Sequence, residues 1–248
     1  MTLIVANGHT ITLKDSAGDG AINSNGTIGV ATNGGMIEIQ SGSYTSGDVA
    51  FWAGGRNATG SIKVVDGTIS GQEGAICTGG EGSTVTIEGG TFIGIDNAVI
   101  GNNGLAGFEG ATINISGGEF VGHIQTAGYT GCGVYLPNDC ELNITGGKFT
   151  IDGVGVCARA GQVNIDGGEF ISTVDTAGWV GDKKTQISAN GVYFDGAAKY
   201  PGLNADAALN ITNGTYTNMT NSGIAAVKVT QPDNGIEIQV NAGDWSVE

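Results

Sequence analysis

One short sentence recurs along this chain: "TVTIEGGTFIG" from Thr84, "TINISGGEFVG" from Thr112, "ELNITGGKFTI" from Glu141 and "QVNIDGGEFIS" from Gln162. Aligning it gives eight copies, with the apolar residue before the turn at Ile39, Val64, Ile87, Ile115, Ile144, Ile165, Ile211 and Ile238. Successive copies lie 25, 23, 28, 29, 21, 46 and 27 residues apart. A period in the twenties is the signature of a solenoid, because each unit can bury its apolar side only against a copy above and below.

Five residues beyond the Ile column runs a second one: Tyr44, Ile69, Phe92, Phe120, Phe149, Phe170 and Tyr216, with Trp245 displaced by two in the last copy. Between the columns, "GG" or "NG" supplies positive-φ positions for a sharp bend, and segments such as "TVTI" alternate polar with apolar. A further strand precedes each copy: "GVAT" from Gly29, "AFWA" from Ala50, "AICT" from Ala75, "AVIG" from Ala98, "GVYL" from Gly133, "GVCA" from Gly155, "GVYF" from Gly191 and "AVKV" from Ala226, or "AAVK" one residue earlier. One such strand per copy makes the 46-residue gap a single coil with long loops. Helical periodicity is absent. The expected fold is all-β: a single-chain right-handed parallel β-helix (solenoid) of about eight to nine coils, three short strands per coil.

This pattern resembles the right-handed parallel β-helix superfamily, the pectate-lyase-like fold that also builds phage tailspikes, virion fibres and bacterial surface proteins. The resemblance spans nearly the whole chain, so residues 1–248 read as one domain with lateral loops at 122–132, 172–190 and 195–207. It speaks for architecture and only weakly for activity.

Outward positions carry the functional candidates. Glu119, Lys148 and Glu169 fall on consecutive rungs as a charge ladder, the central cation relieving two carboxylates about 10 Å apart. Lys63, Thr86, Asn114, Asn143, Asn164, Asn210 and Glu237 form a polar row whose amides can bond along the stack. In the preceding strand, Val30, Phe51, Ile76, Val99, Val134, Val156 and Val192 read as inward. Their successors Ala31, Trp52, Cys77, Ile100, Tyr135, Cys157 and Tyr193 then make an outward apolar and aromatic stripe that calls for a covering loop or a partner. "GHIQTAGYTGC" and "STVDTAGWVGDKKTQISAN" share Thr-Ala-Gly before an aromatic. Trp52, Tyr129, Tyr135, Trp179 and Tyr193 are thus the candidate partner- or glycan-facing residues.

Composition limits the rest. With 24 acidic against 9 basic residues the net charge is −15, which speaks against nucleic acid as a partner. No stretch approaches the roughly 18 to 20 apolar residues of a membrane span, and "MTLIVANGHTITL" lacks a signal-peptide pattern. Cys77, Cys132, Cys140 and Cys157 lack zinc-site spacing; Cys132 and Cys140 could bridge if the chain doubles back, with free buried thiols as the favoured alternative. The Asn-Thr-Asp, Asp-Asp, His-Gly and Arg-Ile-Lys signatures of polygalacturonase-like hydrolysis do not occur, and only two histidines, His9 and His123, are present. No metal site, cofactor or catalytic set is therefore expected. "DSAGDG" lacks the alternating Asp pattern of a calcium loop, and the outward rows lack the regular Thr-x-Thr of ice binding.

The expectation is a non-enzymatic virion protein (decoration, fibre or spike), made in a host cytoplasm and partnered by other virion subunits or by itself, a trimer suiting a three-sided prism. The alternative is a β-helix that binds or degrades a surface glycan, with Asp152, Asp175 and Asp195 beside the aromatics; a bacterial surface adhesin is the third reading.

Overall fold

The computed structural model describes residues 2–125, 131–173, 179–180, 183–184, 192–195, 208–218, 227–230, 237–240 and 244–247. Strand after strand pairs in parallel into two large sheets, and among the described residues there is no helix. The first sheet stacks nine strands, from Leu3–Val5 and Gly29–Ala31 through Val49–Gly54, Gly74–Gly79, Ala98–Asn102, Gly131–Leu136 and Gly153–Ala158 to Val192–Asp195 and Val227–Thr230. The second sheet folds over two faces. One begins at Thr10–Leu13 and the other at Ala21–Ser24, and the eleven-residue strand Gln162–Ser172 joins them by running through both. Each coil thus visits three faces, the expected parallel solenoid. Seven coils, Leu3 to Ser172, are followed by strands that extend the same stack.

The motif's glycines make the corner between the second and third faces. Gly42, Gly67, Gly90, Gly118, Gly147, Gly168 and Gly214 all hold positive φ, from 96° to 128°, which a side chain resists. Each corner also bonds to the next: Thr91 N–H donates to the Gly67 carbonyl (2.8 Å), Glu119 N–H to Gly90 (2.8 Å) and Lys148 N–H to Gly118 (2.9 Å). The repeat is therefore a repeated hydrogen bond as well as a repeated bend.

Inside, the register lays like on like. Ile39, Val64, Ile87, Ile115, Ile144, Ile165 and Ile211 form one file, none more than 1% exposed. Beside it Phe92, Phe120, Phe149, Phe170 and Tyr216 stack nearly flat, with centroids 5.0, 4.3, 4.6 and 5.1 Å apart. In the last copy the strand register corrects the sequence alignment. Val240, not Ile238, pairs with Ile211, Gln239 rather than Glu237 pairs with Asn210, and Trp245 pairs with Tyr216. Counting from Val240 restores the five-residue offset, so the displacement read at Trp245 came from placing the eighth copy two residues early.

The polar row on the second face is a bonded ladder. Asn143 Nδ2 donates to Asn114 Oδ1 (3.0 Å) and Asn164 Nδ2 to Asn143 Oδ1 (2.9 Å). Asn143→Leu strands a half-buried acceptor and a half-buried donor at once, and a lowered urea midpoint equivalent to about 1–3 kcal/mol is expected. Lys63 continues this row with an ion pair to Glu88 at 2.9 Å.

At the first coil "DSAGDG" closes on itself, since the Asp15 carboxylate accepts from the N–H groups of Ala17, Gly18 and Gly20 at 2.8–2.9 Å. These bonds, Gly20's the strongest contributor, hold the Asp15 pKa below its usual value. A depressed folded pKa gives stabilisation that is complete above the unfolded value and fades as pH falls through the folded one. The protection of the Gly18 and Gly20 amides, taken relative to their intrinsic exchange rates, should therefore fall on acidification below about pH 4, and Asp15→Asn should flatten that response.

Candidate functional site: a trough on the first sheet

The outer face of the first sheet carries one continuous column in register, Ile4, Val30, Trp52, Cys77, Gly101, Tyr135 and Cys157, and the next strand places Tyr193 at the register position beside Cys157. Two expected members are corrected. Ala31 and Ile100 are fully buried in the core, and the outward positions on their rungs are Val30 and Gly101. A one-residue slip in register moves every side chain to the opposite face. On this strand Val99 and Ile100 are both buried, which hides the alternation in the sequence.

Gly101 changes the character of the face. Trp52 and Tyr135 stand three rungs apart, about 14 Å at the usual strand spacing, with only Cys77 and the bare Gly101 between them. The result is a trough of about 160 Å³, lined also by Val49, Ile76, Glu73, Asn97, Ala98, Asn102 and Asn103.

Its walls are fixed. Trp52 leans on Phe108 (centroids 6.3 Å apart, planes at 58°), and Tyr135 packs on a small second cluster of Ala98, Cys132, Val154 and Cys157. The segment from Asn103 to Gly110 is tied down on several sides. Arg56 Nε donates to Ala106 O (3.1 Å), Asn57 N–H to Gly107 O (2.7 Å) and Asn138 Nδ2 to Asn103 O (2.7 Å). Burial pushes the Cys77 thiol up to about 12, so the floor is an uncharged, protonated sulfur.

Other expected residues fall elsewhere. Glu119, Lys148 and Glu169 are adjacent in register on the third face, where Lys148 Nζ lies 3.3 Å from Glu169 and Glu119 has no ion pair among the described residues. Asp152 sits at a corner, accepting from Thr173 Oγ1 (2.6 Å) and facing His123 Nδ1 (3.3 Å). Trp179 lies in the short antiparallel pair Trp179–Val180 with Lys183–Lys184, and Tyr193 and Asp195 keep their register positions in Val192–Asp195. Tyr129 and Asp175 lie outside the described residues, as does most of the loops at 122–132, 172–190 and 195–207.

Cys132 and Cys140 are not bridged: Cys140 belongs to the main core beside Asn102, whereas Cys132 sits in the second cluster. The neighbouring Cys157 thiol, together with burial, raises the Cys132 pKa well above its ordinary value.

The rim residues Glu73, Asn97, Asn102 and Asn103 escaped the sequence reading because they lie where strand meets corner, outside the repeated motif. A larger, open hollow of about 600 Å³ is lined by Asn57, Thr59, Glu81, Gly107, Glu109, Gly110 and Asp139. Among the described residues no group of three His, Cys, Asp or Glu is placed to hold a metal ion. No protein-family model, curated protein or solved structure matches the chain, which is identified here by its architecture alone, an all-β parallel solenoid.

Proposed function

We propose that this chain is a non-enzymatic structural and binding protein that works within a larger assembly, with a virion decoration, fibre or spike as its setting and the right-handed pectate-lyase-like helices as its structural kin. The observation that carries the reading is the first coil. There, among the described residues, the internal file of Tyr44 ends at Ile22, 44% exposed, and Leu3, Ile11 and Leu13 are only partly covered. The strands Leu3–Val5, Thr10–Leu13 and Ala21–Ser24 each pair on one edge. Exposed apolar rungs and unpaired strand edges favour another coil stacked on them.

A second copy suits that end. The strands Val227–Thr230, Glu237–Val240 and Asp244–Val247 occupy the same three faces in the same register as every rung before them. Copies stacked head to tail would continue the files across the junction.

Light scattering is expected to give a mass well above the 24.8 kDa of one chain, and electron micrographs short rods. Ile22→Lys, at the exposed end of the internal file, should return the protein to single chains of unchanged circular dichroism. A monomer at about 100 µM in the unsubstituted protein would contradict the proposal. The second reading, glycan binding, is favoured by the trough and is developed next.

A further inference from the structure

We infer that the trough between Trp52 and Tyr135 binds an uncharged sugar, one or two pyranose rings of a neutral glycan. This does not depend on the assembly proposed above.

An aromatic wall at each end and a floor of Cys77 and Gly101 leave a short slot on an otherwise continuous sheet face. Flat rings favour a ligand with an apolar face, and a pyranose presents its C–H groups in such a face.

The rim then selects among apolar ligands. Asn97 Oδ1 accepts from Ala98 N–H and Asn103 Oδ1 from Leu105 N–H, both at 3.0 Å, which turns each amide's NH₂ to use as a donor. Exposed Glu73 supplies an acceptor. Asn102 closes the trough from below, its Nδ2 turned to the core side, where it donates to Phe108 O (3.0 Å) and Cys140 Sγ (3.3 Å). Donors and acceptors interleaved around aromatic faces match hydroxyl groups, which both give and take hydrogen bonds. A purely apolar side chain of a protein partner would strip water from these groups and return nothing.

Charge narrows the choice further. Among the described residues no lysine or arginine lines the trough and one carboxylate does, and the chain as a whole carries −15. Uronate, sialate or phosphate-bearing glycans would meet repulsion there. With a single carboxylate in the lining among the described residues, the slot shows no paired acid and base of glycoside hydrolysis there, which favours a sugar held rather than cleaved.

The structure also provides a selective obstruction. A Cβ added at Gly101 meets only the Ala98 Cβ, at 3.6 Å, an ordinary contact at a φ that any residue adopts. Gly101→Val should therefore fill the slot while leaving the fold intact, and a β-branched residue suits a strand.

The test uses the full chain with Trp179→Phe and Trp245→Phe, so that Trp52 is the only remaining indole. Its emission is titrated with maltotriose, cellotriose, xylotriose and chitobiose, and with trigalacturonate as the anionic counterpart. At least one neutral oligosaccharide should give a saturable change with a Kd of about 1 mM or tighter. Gly101→Val and Tyr135→Ala should each weaken it tenfold or more, Gly101→Val with its melting temperature unchanged. Should the valine variant fold poorly, Gly101→Ala, one carbon larger, is expected to weaken binding at least threefold. The inference is overturned by no saturable change with any neutral sugar to about 20 mM, by equal binding to a folded Gly101 variant, or by a response to trigalacturonate alone.

Discussion

Phe149→Ala is expected to destabilise the protein by about 5 kcal/mol, read as a lowered midpoint in urea. Deleting a fully buried phenylalanine costs about 3–5 kcal/mol through lost transfer energy and the cavity left behind. Phe149 adds to this by stacking on two neighbours at once, Phe120 at 4.3 Å and Phe170 at 4.6 Å, contacts worth about 0.5–1.5 kcal/mol each beyond area burial. In a solenoid the loss falls between rungs, where coils hold one another, so the transition should also broaden as the two halves uncouple. Phe149→Leu keeps most of the volume and should cost about 1–2 kcal/mol. A double-mutant cycle with Phe120→Ala should return a coupling of about 1 kcal/mol, and none if the rings merely share a core.

The second large effect is expected at Gly161. Its φ is +80°, and a Cβ there would lie 2.0 Å from the carbonyl oxygen of Cys140 and 2.6 Å from its nitrogen. Both contacts are to backbone, which cannot swing aside, and that backbone is itself fixed by Gln162 N–H donating to Cys140 O at 2.9 Å. Gly161→Ala should therefore cost more than about 4 kcal/mol and yield mostly insoluble protein. Gly101→Val, a larger change on paper, should leave the melting temperature within a degree or two, about 0.5 kcal/mol or less. The pair separates glycines that the backbone needs from one that merely leaves space, measured by soluble yield and thermal unfolding.

Much of the architecture could be read in the sequence because the corner fixes the distance between two internal files. Ile115 to Phe120, Ile144 to Phe149 and Ile165 to Phe170 keep the same five residues, while insertions fall outside the motif, as in the 46 residues between Ile165 and Ile211. The first sheet was harder. At Ala50–Phe51, Ala75–Ile76 and Val99–Ile100 two successive residues are buried, so period-two alternation is masked and the facing of Ala31 and Ile100 came out reversed.

The trough could be read only by halves. Trp52 and Tyr135 stood out as aromatics in an outward column, but what makes them a pair is the absence of a side chain at Gly101, and a glycine among 47 draws no notice. The neighbouring Cys132 and Cys157 were likewise hidden, since they come from different rungs and the nearer sequence pair, Cys132 and Cys140, points to separate clusters.

The stacking itself is tested by distances between spin labels on the exposed file Ala21, Glu119, Glu169 and Thr215, which the register places on rungs one, five, seven and eight. Introduced cysteines at these sites should label selectively, because Cys132, Cys140 and Cys157 are buried and the Cys77 thiol is held protonated. From Ala21 the separations should be about 19 Å to Glu119, about 29 Å to Glu169 and about 34 Å to Thr215, growing by one strand spacing per rung however many residues intervene. A step from Glu169 to Thr215 that followed its 46 residues of chain instead of one rung, or separations that ceased to grow along the file, would contradict the solenoid.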